Sequence, residues 1–336
     1  MKCCPNCFTD SEIIGIITSI SSEKGSCDYC KSQDQAIIST EELQEVFIPL
    51  LELYEPHEDS SSDLFSVIKK DWGVFLRDES GISLLQHICG ERYRVLSSSK
   101  VSLKYTVNDS VNDWMSFVNQ IKCQNRFFIQ GNAIVGDVVK QLLNRHTKTI
   151  LAGKVFFRGR IAENEDGFSL EELRQPPPNK ATPGRANPDG ISYLYLAEDR
   201  ETTLYEIGAS LNDFVSIGEF ELLSDIKVVE LKDVHTISPF IEDVNLEDYI
   251  KNRDILTQFG LALSTPLRSF DSLREYLPTQ YLCEYIKSLG IDGVKYASAM
   301  NRGGTNYAIF DGDKFRCINK STVTINEVII RTESMI

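Results

Sequence analysis

Basic residues are in short supply in this chain: 35 Lys and Arg stand against 49 Asp and Glu, a formal net charge of −14 over 336 residues. A surface that acidic repels a phosphate backbone, which excludes broad nucleic-acid binding unless a local basic patch offsets it. Long apolar runs are missing too. The longest, such as Val46–Tyr54, stop far short of the roughly 20 residues a membrane span needs. The opening MKCCPNC lacks the apolar stretch of a signal peptide, so the expectation is a cytoplasmic protein with no membrane partner. Histidine is scarce, and the four residues (His57, His87, His146, His235) show no ligand spacing. They read as structural or surface groups. No internal repeat is visible.

Cysteine is abundant by comparison, with nine residues at positions 3, 4, 7, 27, 30, 89, 123, 283 and 317. Four of the first five read Cys4-Pro-Asn-Cys7 and Cys27-Asp-Tyr-Cys30. Two C-x2-C knuckles so spaced resemble a zinc ribbon or a related four-cysteine zinc finger. Each pair supplies two thiolates, from a tight turn, to half of a tetrahedral Zn²⁺ site. A redox or disulfide pair is the competing reading, and a reducing cytosol disfavours it. Cys3 could replace Cys4 as a ligand, although the C-P-x-C form favours Cys4. Between the knuckles, Glu12–Ile20 alternates loosely and is expected to form a small hairpin. A knuckle of this size has little core, so the metal would hold it folded. A closed four-thiolate set leaves no coordination position open for catalysis. Cys89, Cys123, Cys283 and Cys317 sit in apolar surroundings and read as core residues.

Residues 35–150 read as an all-helical region. Ser39-Thr-Glu-Glu42 is a capping-box pattern that starts a helix to about Leu53. Further helical segments are expected over Asp63–Asp71, Ile82–Arg92, Val111–Cys123 and Ile134–Arg145. This stretch resembles HEPN domains, some of which are RNases using an Arg-x4–6-His motif. Here no Arg precedes a His at that distance, Arg145 and His146 being adjacent. The region is therefore read as non-catalytic, serving packing and homo-oligomerisation.

The pattern changes after Lys154. Short β-branched and aromatic runs at Val155–Phe157, Tyr193–Ala197, Val215–Leu222, Ile226–Leu231, Gly293–Tyr296, Asn306–Phe310 and Thr322–Ile330 predict strands. Helical stretches at Asp199–Ala209, Leu246–Phe259 and Pro278–Leu289 alternate with them. A Pro- and Gly-rich loop, Ala162–Gly190, separates the first two strands, and a loop that long inside a compact domain is usually functional. The fold class that follows is α+β and multidomain: a zinc knuckle over 1–34, a helical domain over 35–150 and a mixed α/β domain over 151–336.

The densest chemical signal runs from Gly184 to Glu206. Gly184, Pro188 and Gly190 frame a turn that presents Arg185 at the mouth of the strand carrying Tyr193 and Tyr195. The helix started by Asp199 then brings Glu206 back toward the sheet. An Arg, a Tyr and a Glu converging from loop, strand and helix suit an anionic, planar, hydroxyl-bearing ligand. The guanidinium takes a phosphate, the phenol ring stacks and the carboxylate holds a ribose hydroxyl.

This segment resembles the RES family, named for its Arg, Glu and Ser. That family shows a Gly-Arg-x-Asn-x-x-Gly turn, a Tyr ten residues after the Arg and a Glu twenty-one residues after it. Arg185, Asn187, Tyr195 and Glu206 fall at those spacings. Tyr296-Ala-Ser-Ala-Met300, followed by Asn306-Tyr307, nominates Ser298 and Asn306. Upstream, Phe156-Phe-Arg158 resembles the aromatic–Arg pair that opens the domain. The turn departs from the common form in carrying Pro183 and Ala186, where a second Gly and an aromatic are usual. The resemblance spans about residues 150–320, and a zinc-finger plus HEPN-like extension fits one long subclass.

The resemblance implies an ADP-ribosyltransferase-like fold acting on NAD⁺, as in compact toxins that cleave its nicotinamide–ribose bond and are paired with an antitoxin. Arg185, helped by Arg158, would bind the pyrophosphate. Glu206 would hold the ribose 2′-OH, Tyr195 would position that ribose, and Ser298, Asn187 and Asn306 would orient substrate. Transfer of ADP-ribose to a macromolecule, or an inactive binding module, are the other readings of the same residues.

Overall fold

The computed structural model describes residues 1–104, 108–129, 136–232, 234, 237–241, 245–267 and 270–328, without the side chains of 108–111. The chain divides into two units: Met1–Asp109 with His235–Asn252, and Ser110–Val234 with Arg253–Ile336.

In the first unit a small sheet is ordered β1-β3-β2, from β1 (Lys2–Cys3), β2 (Glu23–Gly25) and β3 (Gln35–Ser39). Helix α1 (Ser11–Ile20) occupies the stretch expected to be a hairpin. Asp10 decides this: its carboxylate accepts the backbone N–H of Glu12 and Ile13 at 3.0 and 3.1 Å, an N-cap that starts a helix. Ile13 and Ile17, one turn apart, are both buried while Gly15 between them is exposed, so the apolar period is four rather than two. Next come α2 (Thr40–Leu51), β4 (Tyr54–Pro56), α3 (Leu64–Trp72), α4 (Asp78–Cys89), α5 (Arg94–Ser98) and β5 (Val101–Leu103). The capping box at Ser39 and Glu42 is formed in both directions. An aromatic core of Phe8, Phe47, Phe65 and Phe75 is completed by Phe240, whose ring centroid lies 4.8 Å from that of Phe47. Residues 35–150 are not purely helical. Strands β4 and β5 pair with each other, and Thr147–Ile150 joins the large sheet described next.

In the second unit α6 (Asn108–Cys123) and α7 (Asp137–Arg145) lead into β6 (Thr147–Ile150), β7 (Val155–Ala162), β8 (Leu194–Ala197), α8 (Arg200–Glu206), β9 (Phe214–Leu222) and β10 (Ile226–Glu230). Helix α9 (Leu246–Ser264) from Arg253 onward, α10 (Leu277–Ser288), β11 (Gly293–Ala297), β12 (Thr305–Ile309) and β13 (Phe315–Thr324) complete it. Eight strands form one mixed sheet, ordered β13-β9-β7-β8-β12-β11-β10-β6. Among the described strands only the β10–β11 pair is parallel, and the chain between them carries the helical crossover that parallel pairing needs. The last strand begins earlier than the sequence pattern suggests, because Phe315 and Cys317 alternate into the core. Ile329 and Ile330 of that expectation lie outside the described residues. Phe156, Leu194, Leu196, Phe220, Leu222, Tyr307, Ile309 and Phe315 fill the core beneath the sheet.

One break in this sheet positions the site. Strand β7 pairs with β9 along eight residues, yet with β8 at a single pair, Phe157 and Ala197. Beyond that pair the two strands part.

Candidate active site

The gap between β7 and β8 opens into a cavity of about 360 Å³, within the range of small-molecule sites. Phe157, Arg158 and Gly159 line it from β7, Tyr195 and Ala197 from β8, and Glu206 from α8. Arg185, Tyr296 and Asn306 complete the wall. The sequence therefore nominated residues that the fold brings together from five segments.

Helix α8 reaches the gap because of a local fit. The Asp199 carboxylate caps its start by accepting the N–H of Thr202 at 2.7 Å. Across from it, β7 carries Gly159, where a Cβ would stand 2.7 Å from Thr203 Cγ2 and 3.4 Å from Ile207. Any larger residue would push the helix away, so this glycine lets Glu206 sit beside β7.

Glu206 is fixed through one oxygen. Its Oε1 accepts the Ser298 hydroxyl at 2.5 Å and the Asn306 amide at 2.8 Å. The Ser298 oxygen in turn accepts the backbone N–H groups of Met300 and Asn301, at 3.2 and 2.9 Å. With two donors pointing at it, the hydroxyl has its own proton left for the carboxylate. Ser298 thus orients Glu206. The loop carrying it is itself tied down: Asn301 Nδ2 donates to Thr202 Oγ1 at 2.9 Å, and Lys232 Nζ to Gly303 O and Thr305 Oγ1 at 2.7 Å each.

Arg158 supplies the opposite charge. Its Nε and Nη1 are buried and have no hydrogen-bond partner among the described residues. Burial, with Arg160 close by, lowers its pKa to about 10. At neutral pH it remains a cation in a poorly solvated place.

The Arg185 turn is held by a network of its own. The Tyr195 hydroxyl donates to Asn187 Oδ1 at 2.7 Å and accepts the Ala186 N–H at 3.0 Å. Burial pushes this phenol's pKa up, which keeps it a donor. Asn187 Nδ2 lies 2.8–3.2 Å from the carbonyls of Thr182, Pro188 and Ile191. Asn187 is thus occupied in folding the loop, and among the described residues it does not line the cavity. The Arg185 guanidinium donates to Leu263 O at 3.2 Å.

Several residues of the site gave no sequence signal. Tyr276 and Tyr296 line the cavity, and buried Thr279 and Gln280 on α10 hold the turn from behind. Tyr276, Thr279 and Gln280 lie about ninety residues from Arg185 with nothing in their spacing to mark them, and Tyr296, about 110 residues away, appeared only as the first residue of the motif that nominated Ser298.

A second group of chemically active side chains lies in the first unit. The sulfurs of Cys4, Cys7, Cys27 and Cys30 all fall within 4.8 Å of one another. Cys4 and Cys30, and likewise Cys7 and Cys27, are 3.4 Å apart. That is far beyond a disulfide bond and near the ~3.8 Å edge of a tetrahedron with 2.3 Å metal–sulfur bonds. The cluster can hold a metal ion. The first knuckle contributes Cys4 beside Cys7; Cys3, buried on β1, is outside the cluster.

No candidate membrane span occurs among the described helices. A search of curated proteins finds no match. Among solved structures, the chain is similar to one from the crystal structure of the M. tuberculosis MbcT–MbcA toxin–antitoxin complex, at 12% identity and a TM-score of 0.35, covering 56% of this chain and 94% of that one. The family model described as RES domain matches residues 160–327, half of the 336 residues. The matched span runs from β7 through β13 and holds Arg185, Tyr195, Glu206, Ser298 and Asn306, and on this match the chain belongs to the RES domain family.

Proposed function

We propose that the protein consumes NAD⁺ by cleaving the bond between nicotinamide and ribose. One observation carries this reading: Arg158, whose guanidinium Nε and Nη1 are buried without a partner among the described residues, shares a cavity with a carboxylate, Glu206, that is locked through one oxygen. An unpaired buried cation is costly unless an anion arrives to meet it. The pyrophosphate of NAD⁺ is such an anion, and Arg185 enters the same cavity.

Cleavage passes through an oxocarbenium-like transition state, as in glycoside hydrolysis. Bonds from Ser298 and Asn306 fix Glu206 Oε1, so Oε2 is the oxygen offered to the ribose 2′-OH. Its negative charge stabilises the positive charge that develops on the sugar. Because the carboxylate is already held, little reorganisation is needed as the bond breaks. Tyr195 and Tyr296 supply ring surface beside it. Nicotinamide leaves with the bonding electron pair, and water or another nucleophile captures the ribose.

The metal of the four-cysteine cluster would be Zn²⁺, which supplies structural cross-linking and no open coordination position. Cys4, Cys7, Cys27 and Cys30 would hold it.

Incubation with NAD⁺ labelled on the adenosine moiety tests the reading. Label released as a free ADP-ribose species supports it. Label on protein would make the chain a mono-ADP-ribosyltransferase, and unchanged NAD⁺ would leave a binding module.

A further inference from the structure

The turn that carries Arg185 is held on two sides. On one side Gly184 has no room for a side chain: a Cβ there would stand 2.5 Å from Asn187 Oδ1 and 2.7 Å from the Tyr195 hydroxyl. On the other side stands the first turn of α10. Gln280, buried, places Nε2 at 2.8 Å from Gly184 O and 3.0 Å from Asn187 O. Both partners are carbonyl oxygens, so only the amide nitrogen, with its two hydrogens, can face them. Its neighbour Thr279 puts Oγ1 at 2.6 Å from Arg185 O. Gln280 thus bridges two carbonyls of the turn, of which Asn187 O also accepts the Gly184 N–H at 3.0 Å, and the Thr279 hydroxyl has Tyr276 O at 2.9 Å as a second, longer acceptor.

We propose that Gln280 is a positioning residue for Arg185: by bridging the carbonyls of Gly184 and Asn187 it sets where the guanidinium enters the cavity, and thereby the affinity for the substrate's anionic group. The inference rests on the reading above in one respect, that Arg185 holds the pyrophosphate. Gln280 lies outside the cavity wall and acts only through the turn. A residue with one hydrogen to give, or none, leaves at least one of the two carbonyls without this donor and the turn free to shift.

Gln280→Met keeps the length of the side chain and removes both donors. It should raise KM for NAD⁺ about tenfold while kcat changes less than about threefold, since the anion is bound alike in ground and transition states. In an Arg185→Ala background the same change should add nothing, whereas in a Glu206→Gln background its effect should multiply in full. Equal penalties in both backgrounds would mean a general loss of structure and would overturn the proposal. Amide hydrogen exchange of residues 184–187 gives a readout that needs no substrate: exchange there should rise at least tenfold in Gln280→Met, with the β9–β13 ladder unchanged. Unaltered exchange at 184–187 would sink the idea even if KM moved. Should the native chain leave NAD⁺ untouched, the functional reading falls, while exchange and the affinity for inorganic pyrophosphate still decide the role of Gln280. Gln280→Glu, the same shape with an anion facing the carbonyls, serves as the second variant if the Met variant does not fold.

Discussion

Arg158 shows what a binding residue costs the resting protein. Its Nε and Nη1 are buried without a partner among the described residues, so the charged form is the penalised one and its pKa falls to about 10. A depressed pKa on a cation means the penalty is present throughout the range below about 10 and eases only as the pH rises past it. Arg158→Met should therefore raise the melting temperature by a few degrees, evenly across pH 5–8, and abolish detectable pyrophosphate binding. A lower Tm would mean that the guanidinium has a stabilising partner. Glu206→Gln should act differently, cutting NAD⁺ turnover roughly 10²–10⁴-fold with a smaller effect on binding. Turnover at the parent rate would remove Glu206 from the chemistry. At this scale the sequence was informative where the geometry is local. Arg185, Tyr195 and Glu206 lie on one turn–strand–helix segment, so their spacing carries their arrangement. Gln280 and Tyr296 join the site only through the sheet and α10, and polar or aromatic residues in such elements look like any others.

Among the elements, α8 and β7 meet at a single glycine. Gly159→Ala would force a methyl against Thr203 Cγ2, 2.7 Å away in the present geometry. The helix must then move outward, and Glu206 with it. A fall in kcat of at least about tenfold is expected, with the circular dichroism spectrum retained, because misplacement of a catalytic group by about 1 Å suffices for such losses. An unchanged kcat would show that α8 tolerates the shift. Strand and helix positions in the second unit were largely readable from alternation and capping residues. Glu12–Ile20 was not, because five isoleucines in nine residues satisfy both periods, and only the Asp10 cap and the burial of Ile13 and Ile17 with Gly15 exposed between them separate them. Strands β4, β5 and β6 are three or four residues long, too short to register as a pattern.

For the molecule as a whole, the metal cluster gives the clearest expectation. The purified protein should carry about one Zn²⁺ per chain, measured by atomic emission on material prepared without chelator. Double substitution of Cys27 and Cys30 by Ser should make residues 1–109 sensitive to protease while pyrophosphate binding by the second unit persists. Absence of zinc would leave the sulfur cluster without its ion. The division of the chain into two units was the least legible property of the sequence. Residues 235–252 belong with the first unit although they follow β10 of the second, and no composition change marks that return. During synthesis this has an order of events built into it. When residue 109 leaves the ribosome the first unit still lacks Phe240, which covers Phe47, and Tyr249, whose ring packs at a tilt against Trp72 with centroids 5.6 Å apart. The aromatic core made first must wait, partly uncovered, until residue 252 has been translated, so the toll on an N-terminal fragment ending near 109 or 150 is aggregation, and the nascent chain passes through the same exposed state each time it is made.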